Sequence, residues 1–519
     1  MKRVAALLAL TGLSACSMDP HYVRPTPAVP PSWPAGDAYP QPSEARLPSV
    51  TYRDIFRDPR LQTLIQQALA NNQDLRSALA NIESARALYR VQRADIFPSI
   101  NANAGVTARK GAGQNFGNNN GVGGGVPGTG TGGTPGDGTG TGGNGTGGNG
   151  NNGGNGVVAN GGSGRVTTYT VQAGASAWEI DLFGRLRSLA RSEFNQYLAT
   201  DAAARATRLT LVADTADAWL TYASDRSLLL IAEDTAKSAQ TTVQLTQARL
   251  NGGVAPRTEL RQAQTVLATA LADQARQRTL VAQDRNALQL LVGAPVAENL
   301  LPNAIEDADG QLAELPAGLD SGVLLRRPDV VEAEYQLRAA NARIGAARAA
   351  FFPRISLTAV AGLASTALSS LFSGGAFSWT VAPSASLPIF DGGRNAGNLA
   401  YAKAQRDVFV ANYQRAIQTA FREAADALAR RGTIVAEVEA NQLNVTAAQD
   451  TLTLETARYR EGIDPYLNTL DAQRTLYAAR QRVVNIRLTR AQNLVNLYQT
   501  LGGDELVEAQ PIDGSAPRP

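Results

Sequence analysis

The chain has 519 residues with 48 Lys and Arg against 45 Asp and Glu, so its formal net charge of +3 is small for its length. No basic tract is present, which excludes nucleic acid as an expected partner. His21 is the only histidine and Cys16 the only cysteine. One histidine and one cysteine cannot supply a His/Cys zinc site. His21 lies in a proline-rich segment, and the sequence suggests no pocket-forming fold in which it could serve a Ser-His-Asp triad. We therefore expect no enzyme, no metal and no cofactor-binding site.

The first residues of the chain have the pattern of an export signal. Lys2 and Arg3 precede an apolar run of about ten residues, which is followed by small residues and Cys16. The run is too short to cross a bilayer as a helix. Residues 1–15 are therefore predicted to be a signal peptide. The stretch LSAC at 13–16 also resembles a bacterial lipobox, which implies N-acyl and S-diacylglycerol groups on Cys16. The residue after Cys16 is Ser17 and not Asp, which resembles the sorting signal that directs Gram-negative lipoproteins to the outer membrane.

Residues 16–58 are predicted to form a lipidated, proline-rich N-terminal arm. Nine prolines lie between positions 20 and 48, a density that excludes helix and favours an extended chain. Asp58 and Pro59 then open a helix. Apolar residues recur from Leu61 onward at helical spacing, which predicts one helix running to about Asp95, before Pro98.

Four stretches of about ten residues alternate between apolar and polar side chains, as β-strands do. They begin near positions 100, 169, 355 and 379, and the fourth is predicted to span 379–389. About ten residues is the length of a tilted transmembrane strand. A Gly/Asn-rich insert at 111–164 separates the first two strands. It cannot bury enough apolar area to offset its ordering entropy, so we expect a disordered loop there.

Two very long helices follow the strand pairs. Positions 185–250 contain no proline or glycine, and 400–461 contain only Gly432. About 65 helical residues reach about 100 Å. Each long helix is expected to turn at a glycine and return as a shorter helix, over 257–292 and 466–501. These helices are rich in Ala, Thr, Gln and Arg, not in regularly spaced Leu or Ile, which favours the wall of a water-filled tube over a simple coiled coil.

The chain is internally duplicated. RLNGGVAP at 249–256 recurs as RYREGIDP at 458–465, an offset of 209 residues. RADIFP at 93–98 pairs with RAAFFP at 348–353 at an offset of 255. The difference is an insertion, which the Gly/Asn-rich tract can supply. We therefore assign 59–317 to repeat 1, 318–503 to repeat 2 and 504–519 to a C-terminal tail.

Four strands cannot close on themselves, and an open sheet edge is not tolerated in hydrocarbon. A membrane role therefore requires several chains that share one barrel, with their long helices side by side in a tube.

The chain resembles the TolC/OprM-type outer membrane factors, specifically the NodT group of efflux lipoproteins. Beside Cys16, the matching stretches are YVRP at 22–25, FRDPRL at 56–61, LLRRPDV at 324–330, AAFFPRI at 349–355, PIFDGGR at 388–394 and LDAQR at 470–474. The resemblance implies an α+β membrane protein in the cell outer membrane: a homotrimer with a twelve-stranded barrel and a periplasmic α-barrel of antiparallel helices. It also implies a periplasmic adaptor and an inner-membrane RND-type pump as partners of a passive efflux duct.

A periplasmic gate is expected in the second repeat. Asp464, Asn468 and Asp471 are spaced four and three apart, which predicts that they share one helix face. Threefold symmetry would turn each position into a ring that narrows the neck and favours cations. The resemblance places Asp471 at the gate aspartate. It also makes Tyr459 and Glu259 ties between neighbouring hairpins, with Arg257 as a further tie.

The two predicted turns are expected to contact the adaptor. They consist of Gly252, Gly253 and Val254 in the first repeat and Glu461, Gly462 and Ile463 in the second. The alternative is that glycine stands there only because a tight turn needs positive φ.

Two alternatives to the efflux duct stay open: a type I secretion exit duct, and a structural or adhesive surface lipoprotein. The strands argue against the adhesin, which has no need of two hairpins of membrane-spanning length.

Overall fold

A computed structural model of the protein describes residues 18–30, 32–39, 51–110, 165–313 and 321–510. The predicted signal peptide, Cys16 and the insert at 111–164 lie outside these residues. The chain divides into two compact units. The helical unit comprises Met1–Phe97, Glu179–Ile355 and Ala385–Pro519, and the strand unit comprises Pro98–Trp178 and Ser356–Ser384.

The helical unit follows the duplicated order that the sequence predicts. In chain order, the α-helices of the described residues are α1 (Tyr52–Ile55), α2 (Pro59–Asn71), α3 (Gln73–Ala94), α4 (Arg185–Asn251), α5 (Arg257–Val292), α6 (Ile305–Asp309), α7 (Pro328–Ala349), α8 (Arg394–Arg460) and α9 (Tyr466–Thr500). None of these described helices is long and apolar enough to cross a membrane.

The two long helices have the same length. α4 and α8 contain 67 residues each, which corresponds to about 100 Å of helix. Both begin after a glycine in the left-handed region, Gly184 at φ 76° and Gly393 at φ 88°. We call α4 with α5 hairpin 1 and α8 with α9 hairpin 2. The predicted long hairpins are confirmed to within a few residues.

The prediction of one helix from Pro59 to about Asp95 was wrong, because the helix is interrupted at Asn72. This residue is extended, with φ −59° and ψ 133°. Its Oδ1 accepts a hydrogen bond from the Leu75 N–H at 2.9 Å, and its Nδ2 donates to the Leu291 carbonyl at 3.0 Å. Asn72 therefore ends α2 and caps α3, so that two amphipathic helices replace one.

The core of the helical unit is built from helix-to-helix packing. α4 packs against α5 and α7, and α8 packs against α7 and α9. Large side chains fill the core, among them Phe56, Trp219, Tyr413 and Tyr498. The Phe56 and Tyr498 rings meet edge to face at 5.5 Å, and the Trp219 indole N–H donates to the Leu300 carbonyl at 3.0 Å.

The strand unit contains a four-stranded sheet. Its strands are β1 (Ile100–Lys110), β2 (Arg165–Ile180), β3 (Arg354–Ser365) and β4 (Phe377–Ser386), in the order β1-β2-β3-β4. β1 and β2 are antiparallel, with Ile100 opposite Ala175. The predicted fourth strand was too long at its end. β4 stops at Ser386, two residues before Pro388, which has no N–H to donate to a neighbouring strand.

The described part of the arm, 18–30 and 32–39, contains no helix or strand and packs on the helical unit. Its main contact is with Glu334 of α7, which is fully buried. Arg24 donates to both Glu334 oxygens, at 3.2 and 2.7 Å, and Arg338 binds the same carboxylate at 2.6 Å. A buried carboxylate needs such partners, so Glu334 fastens the arm to α7.

The arm crosses α8 at Gly432, the glycine that interrupts its sequence. A Cβ built on Gly432 would overlap the Ala38 carbonyl, whereas a Cβ on Gly397 of the same helix meets nothing within 4 Å. Glycine inside a helix costs about 0.5–1 kcal/mol relative to alanine. The close approach of the arm is the reason that α8 accommodates Gly432.

We predict opposite effects of alanine at these two glycines. Gly397→Ala should stabilise the protein by about 0.5–1 kcal/mol, because it only improves helix propensity. Gly432→Ala should bring no gain and should expose the arm. Hydrogen exchange of the amides in 18–39 measures this directly. Unchanged exchange in Gly432→Ala would show that the arm does not depend on this contact.

Candidate functional site

The two hairpins end in the same turn. Gly253 and Gly462 have φ of 72° and 74°, in the left-handed region that ends a helix. After each glycine, an N–H donates back to a carbonyl of the last helical turn: Val254 to Arg249 at 3.0 Å, and Ile463 to Arg458 at 2.9 Å. The glycines are therefore required by the backbone, whatever else these turns contact.

Both turns present an apolar side chain to solvent. Val254 is 69% exposed and Ile463 is 63% exposed. Gly252, Gly253, Glu461 and Gly462 are exposed as well. We call 252–254 and 461–463 the tips. Each combines a hydrogen-bonded turn with one exposed branched side chain.

Tyr459 and Glu259, which the family resemblance predicts to tie neighbouring hairpins, are in contact. The Tyr459 hydroxyl of α8 donates to Glu259 Oε2 of α5 at 3.2 Å. Tyr459 is only 5% exposed, the Arg249 guanidinium lies 4.6 Å from the centre of its ring, and the Tyr466 ring packs at 5.4 Å. We call the Tyr459–Glu259 hydrogen bond the tip tie. It joins the two hairpins beside their turns.

Burial keeps both tyrosines neutral. Desolvation raises the pKa of Tyr459, and the neighbouring Glu259 carboxylate adds to this rise. Desolvation raises the pKa of Tyr466 to about 12. The Tyr459 hydroxyl therefore remains protonated and donates a hydrogen bond to Glu259 across the physiological pH range. The Tyr466 hydroxyl has no hydrogen-bond partner among the described residues.

Asp464 lies in the turn, not on the helix face with Asn468 and Asp471. α9 begins at Tyr466, so the prediction of one shared face was wrong for Asp464. Its carboxylate is paired with Arg458 of the same hairpin. The hydrogen bond from Arg458 lowers the pKa of Asp464. The pair is therefore intact at neutral pH and is lost only as the pH falls through this lowered pKa.

Asn468 and Asp471 do lie together. Both are exposed, and both line a groove between α8 and α9. Glu455 and Leu467 line the same groove. Two carboxylates and an amide thus face one surface of hairpin 2, with the charge of neither carboxylate neutralised by a described ion pair.

Arg257 is not part of the tip tie. Its side chain is exposed and forms no ion pair or hydrogen bond within the part of the chain that the structure describes. Arg249 is the residue that sequence reasoning missed here. The repeat itself carried the signal, because Arg249 and Arg458 occupy equivalent positions: the first stacks on Tyr459 and the second pairs with Asp464.

Comparison with known proteins gives one consistent result. The sequence model of the family described as "Outer membrane efflux protein" matches residues 64–294 and 320–503. The chain is 40% identical over 493 residues to the toluene efflux pump outer membrane protein TtgC of Pseudomonas putida, an alignment that covers 95% of this chain and 93% of that protein.

Two further comparisons extend this result. The outer membrane protein OprJ of Pseudomonas aeruginosa is 37% identical over 501 residues, covering 96% of this chain and 95% of that protein. The structure of the open state of the Neisseria gonorrhoeae MtrE outer membrane channel has a TM-score of 0.78 at 32% identity, covering 96% of this chain and 100% of that one. The chain thus covers nearly the whole length of each.

Two single substitutions distinguish the stability that comes from the tip-tie hydrogen bond from the stability that comes from packing of the rings. Tyr459→Phe should cost about 0.5–1.5 kcal/mol, because it removes a buried hydrogen bond. Tyr466→Phe, its matched control, should be neutral or stabilising, because that hydroxyl bonds to no described residue. Hydrogen exchange of the amides in 455–470 reports the difference. Equal effects of both changes would contradict an energetic role for the tie.

Proposed function

The chain belongs to the outer membrane efflux protein family, and we propose that it is the outer-membrane exit duct of a tripartite, RND-type efflux system. The observation that carries this proposal is the combination, in one duplicated chain, of four strands of membrane-crossing length and two 67-residue helices. The names of the relatives, which include toluene, solvent and antibiotic efflux proteins, support small apolar or amphipathic molecules as cargo. They favour efflux over type I secretion and over a surface adhesin.

We propose that the working form is a homotrimer in the outer membrane, with its long helices in the periplasm. Four strands leave two open edges, and three copies would supply twelve strands that close them. The helical unit also leaves large apolar side chains uncovered, which a neighbouring copy would bury. On α3 these are Leu79, Leu88 and Val91, and on α8 they include Val408, Leu443 and Leu454.

The gate is proposed at the end of the long hairpins. In a trimer, Asn468 and Asp471 would each form a ring of side chains that narrows the neck, and the negative charge of the Asp471 ring would attract cations. The tip tie supports this placement because it fixes hairpin 2 to hairpin 1 beside these residues. Asp464 contributes less, because its charge is already neutralised by Arg458.

A periplasmic adaptor is proposed to contact the tips, residues 252–254 and 461–463. Their exposed Val254 and Ile463 support this, as does the rigidity of the turns that present them. The energy for transport would come from an inner-membrane pump, because a passive duct needs no catalytic site of its own.

Single-channel conductance in planar bilayers tests the duct and its gate together. The purified wild type should give a small, cation-preferring conductance, and Asp471→Ala should raise it about twofold or more, because it removes a ring of side chains that narrows the neck. Asp450→Ala, an exposed carboxylate of α8 outside the groove, is the matched control. No conductance from protein shown to be trimeric and inserted would contradict the duct. A pore indifferent to Asp471 would place the gate elsewhere.

Lipidation at Cys16 is tested by metabolic labelling with palmitate. The wild type should incorporate the label, and Cys16→Ser should reduce it to background, because the chain offers no other thiol. Ser14→Ala, which keeps the small residue before the cleavage site, should label like the wild type. Absence of label in the wild type would refute the lipoprotein assignment.

A further inference from the structure

A second set of contacts joins the two hairpins away from the tips. The Tyr477 hydroxyl of α9 donates to Asp273 Oδ2 of α5 at 2.8 Å. Arg480 Nη1 donates to Asp234 Oδ2 of α4 at 3.0 Å. Tyr477 and Arg480 are three residues apart and therefore share one face of α9. We call this pair of contacts the upper tie.

The upper tie lies beside a cleft, in a region where polar side chains bridge the hairpins. Asp234, Tyr477 and Arg480 line this cleft of about 290 Å³, and Val266, Leu452 and Leu476 are among its apolar lining residues. Polar contacts that span a gap can part without breaking up a close-packed core. At this level the hairpins are joined in a way that permits separation.

Tyr477 is the stronger member of the upper tie. Burial and the hydrogen bond to Asp273 both raise the pKa of its hydroxyl, which therefore remains a donor at any physiological pH. The Arg480–Asp234 pair is more exposed and is screened by salt. Arg480 also donates to Gln449 of α8 at 2.8 Å, so this side chain contacts both hairpins.

The duplication shows that the upper tie is specific to hairpin 2. At the offset of 209 residues, the positions equivalent to Tyr477 and Arg480 are Ala268 and Leu271, which cannot form either contact. The tied helix is thus α9, the helix that carries Asn468 and Asp471.

The position of Asp471 on this helix decides the consequence. The tip tie lies before it, where Tyr459 packs on the first residue of α9, Tyr466. The upper tie lies after it, six residues or about 9 Å along the helix. A helix that is fastened on both sides of a residue cannot displace that residue when only one fastening is released.

We propose that Tyr477 and Arg480 form a second tie that holds Asp471 at the neck after the tip tie has opened. This inference rests on the proposed function, since it concerns how the same gate is opened. Gate opening then requires release of both ties, and their removal acts cooperatively, not additively.

Conductance of the trimer in planar bilayers tests this with four variants. Tyr459→Phe alone, and Tyr477→Phe with Asp234→Asn, should each raise conductance by about twofold or less, whereas all three changes together should raise it by about fivefold or more. The matched control is Glu233→Gln, which removes the Arg278–Glu233 pair within hairpin 1, at 3.3 Å and next to Asp234 in sequence. It should leave conductance unchanged. A triple variant no more conductive than Tyr459→Phe would overturn the second tie.

A reversible cross-link provides a second test, in which the same folded protein is compared with and without the tie. In Asp273→Cys with Tyr477→Cys, Tyr459→Phe and Asp234→Asn, both ties are absent, and the pore should be open. A short, cleavable bismaleimide that joins the two new thiols should close it again by about fivefold, and cleavage should reopen it. A pore that stays open after complete cross-linking would refute the proposal. Failure of the duct itself has a different signature, since neither the wild type nor Asp471→Ala would then conduct.

Discussion

Two helices of 67 residues each need other helices packed beside them along their whole length, and the rest of the structure depends on this constraint. An isolated helix gains little stability in water, so most of it must come from packing. In α4 the buried positions are mostly small residues, among them Ala213, Ala216, Ala223 and Ala232, which allow a neighbouring backbone to come close. α8 has fewer buried positions and exposes larger apolar side chains. In the proposed homotrimer, a neighbouring copy of the chain would cover these side chains.

The main elements of this architecture could be predicted because their signals are local. Absence of proline and glycine predicted the long helices, glycine predicted their ends, and alternation predicted the strands. The break at Asn72 was missed because one polar residue in a helical pattern is usually tolerated. Its capping role becomes visible only when its amide meets the Leu291 carbonyl, 219 residues away. Local propensity cannot specify such a partner.

The same limit applies to the candidate site. The tip tie was accessible through a family resemblance, but the Tyr477–Asp273 contact joins residues 204 apart and leaves no mark on the spacing of either helix. The grouping of Asp464 with the helical acids was wrong for a related reason. Spacing places residues on a common face only where the helix has already begun, and Pro465 delays that start to Tyr466.

Duplication produced two equal scaffolds whose ends then diverged. At the offset of 209 residues, Leu250 corresponds to Tyr459, Glu259 to Asn468 and Gln262 to Asp471. The hydroxyl donor of the tip tie and the Asp471 carboxylate are thus on hairpin 2, and the acceptor of the tip tie is on hairpin 1.

The packing of the arm also limits how far Cys16 can lie from the helical unit. Asp19 accepts a hydrogen bond from Ser188 at 2.5 Å and pairs with Arg191 at 2.6 Å, and the Met18 carbonyl accepts from Arg348 at 3.3 Å. Only two peptide steps separate Cys16 from Met18, and they span at most about 7 Å. Under the predicted acylation of Cys16, the bilayer surface would therefore come within that distance of Met18, beside the end of α7. The lipid anchor would then set the depth at which the chain sits in the membrane.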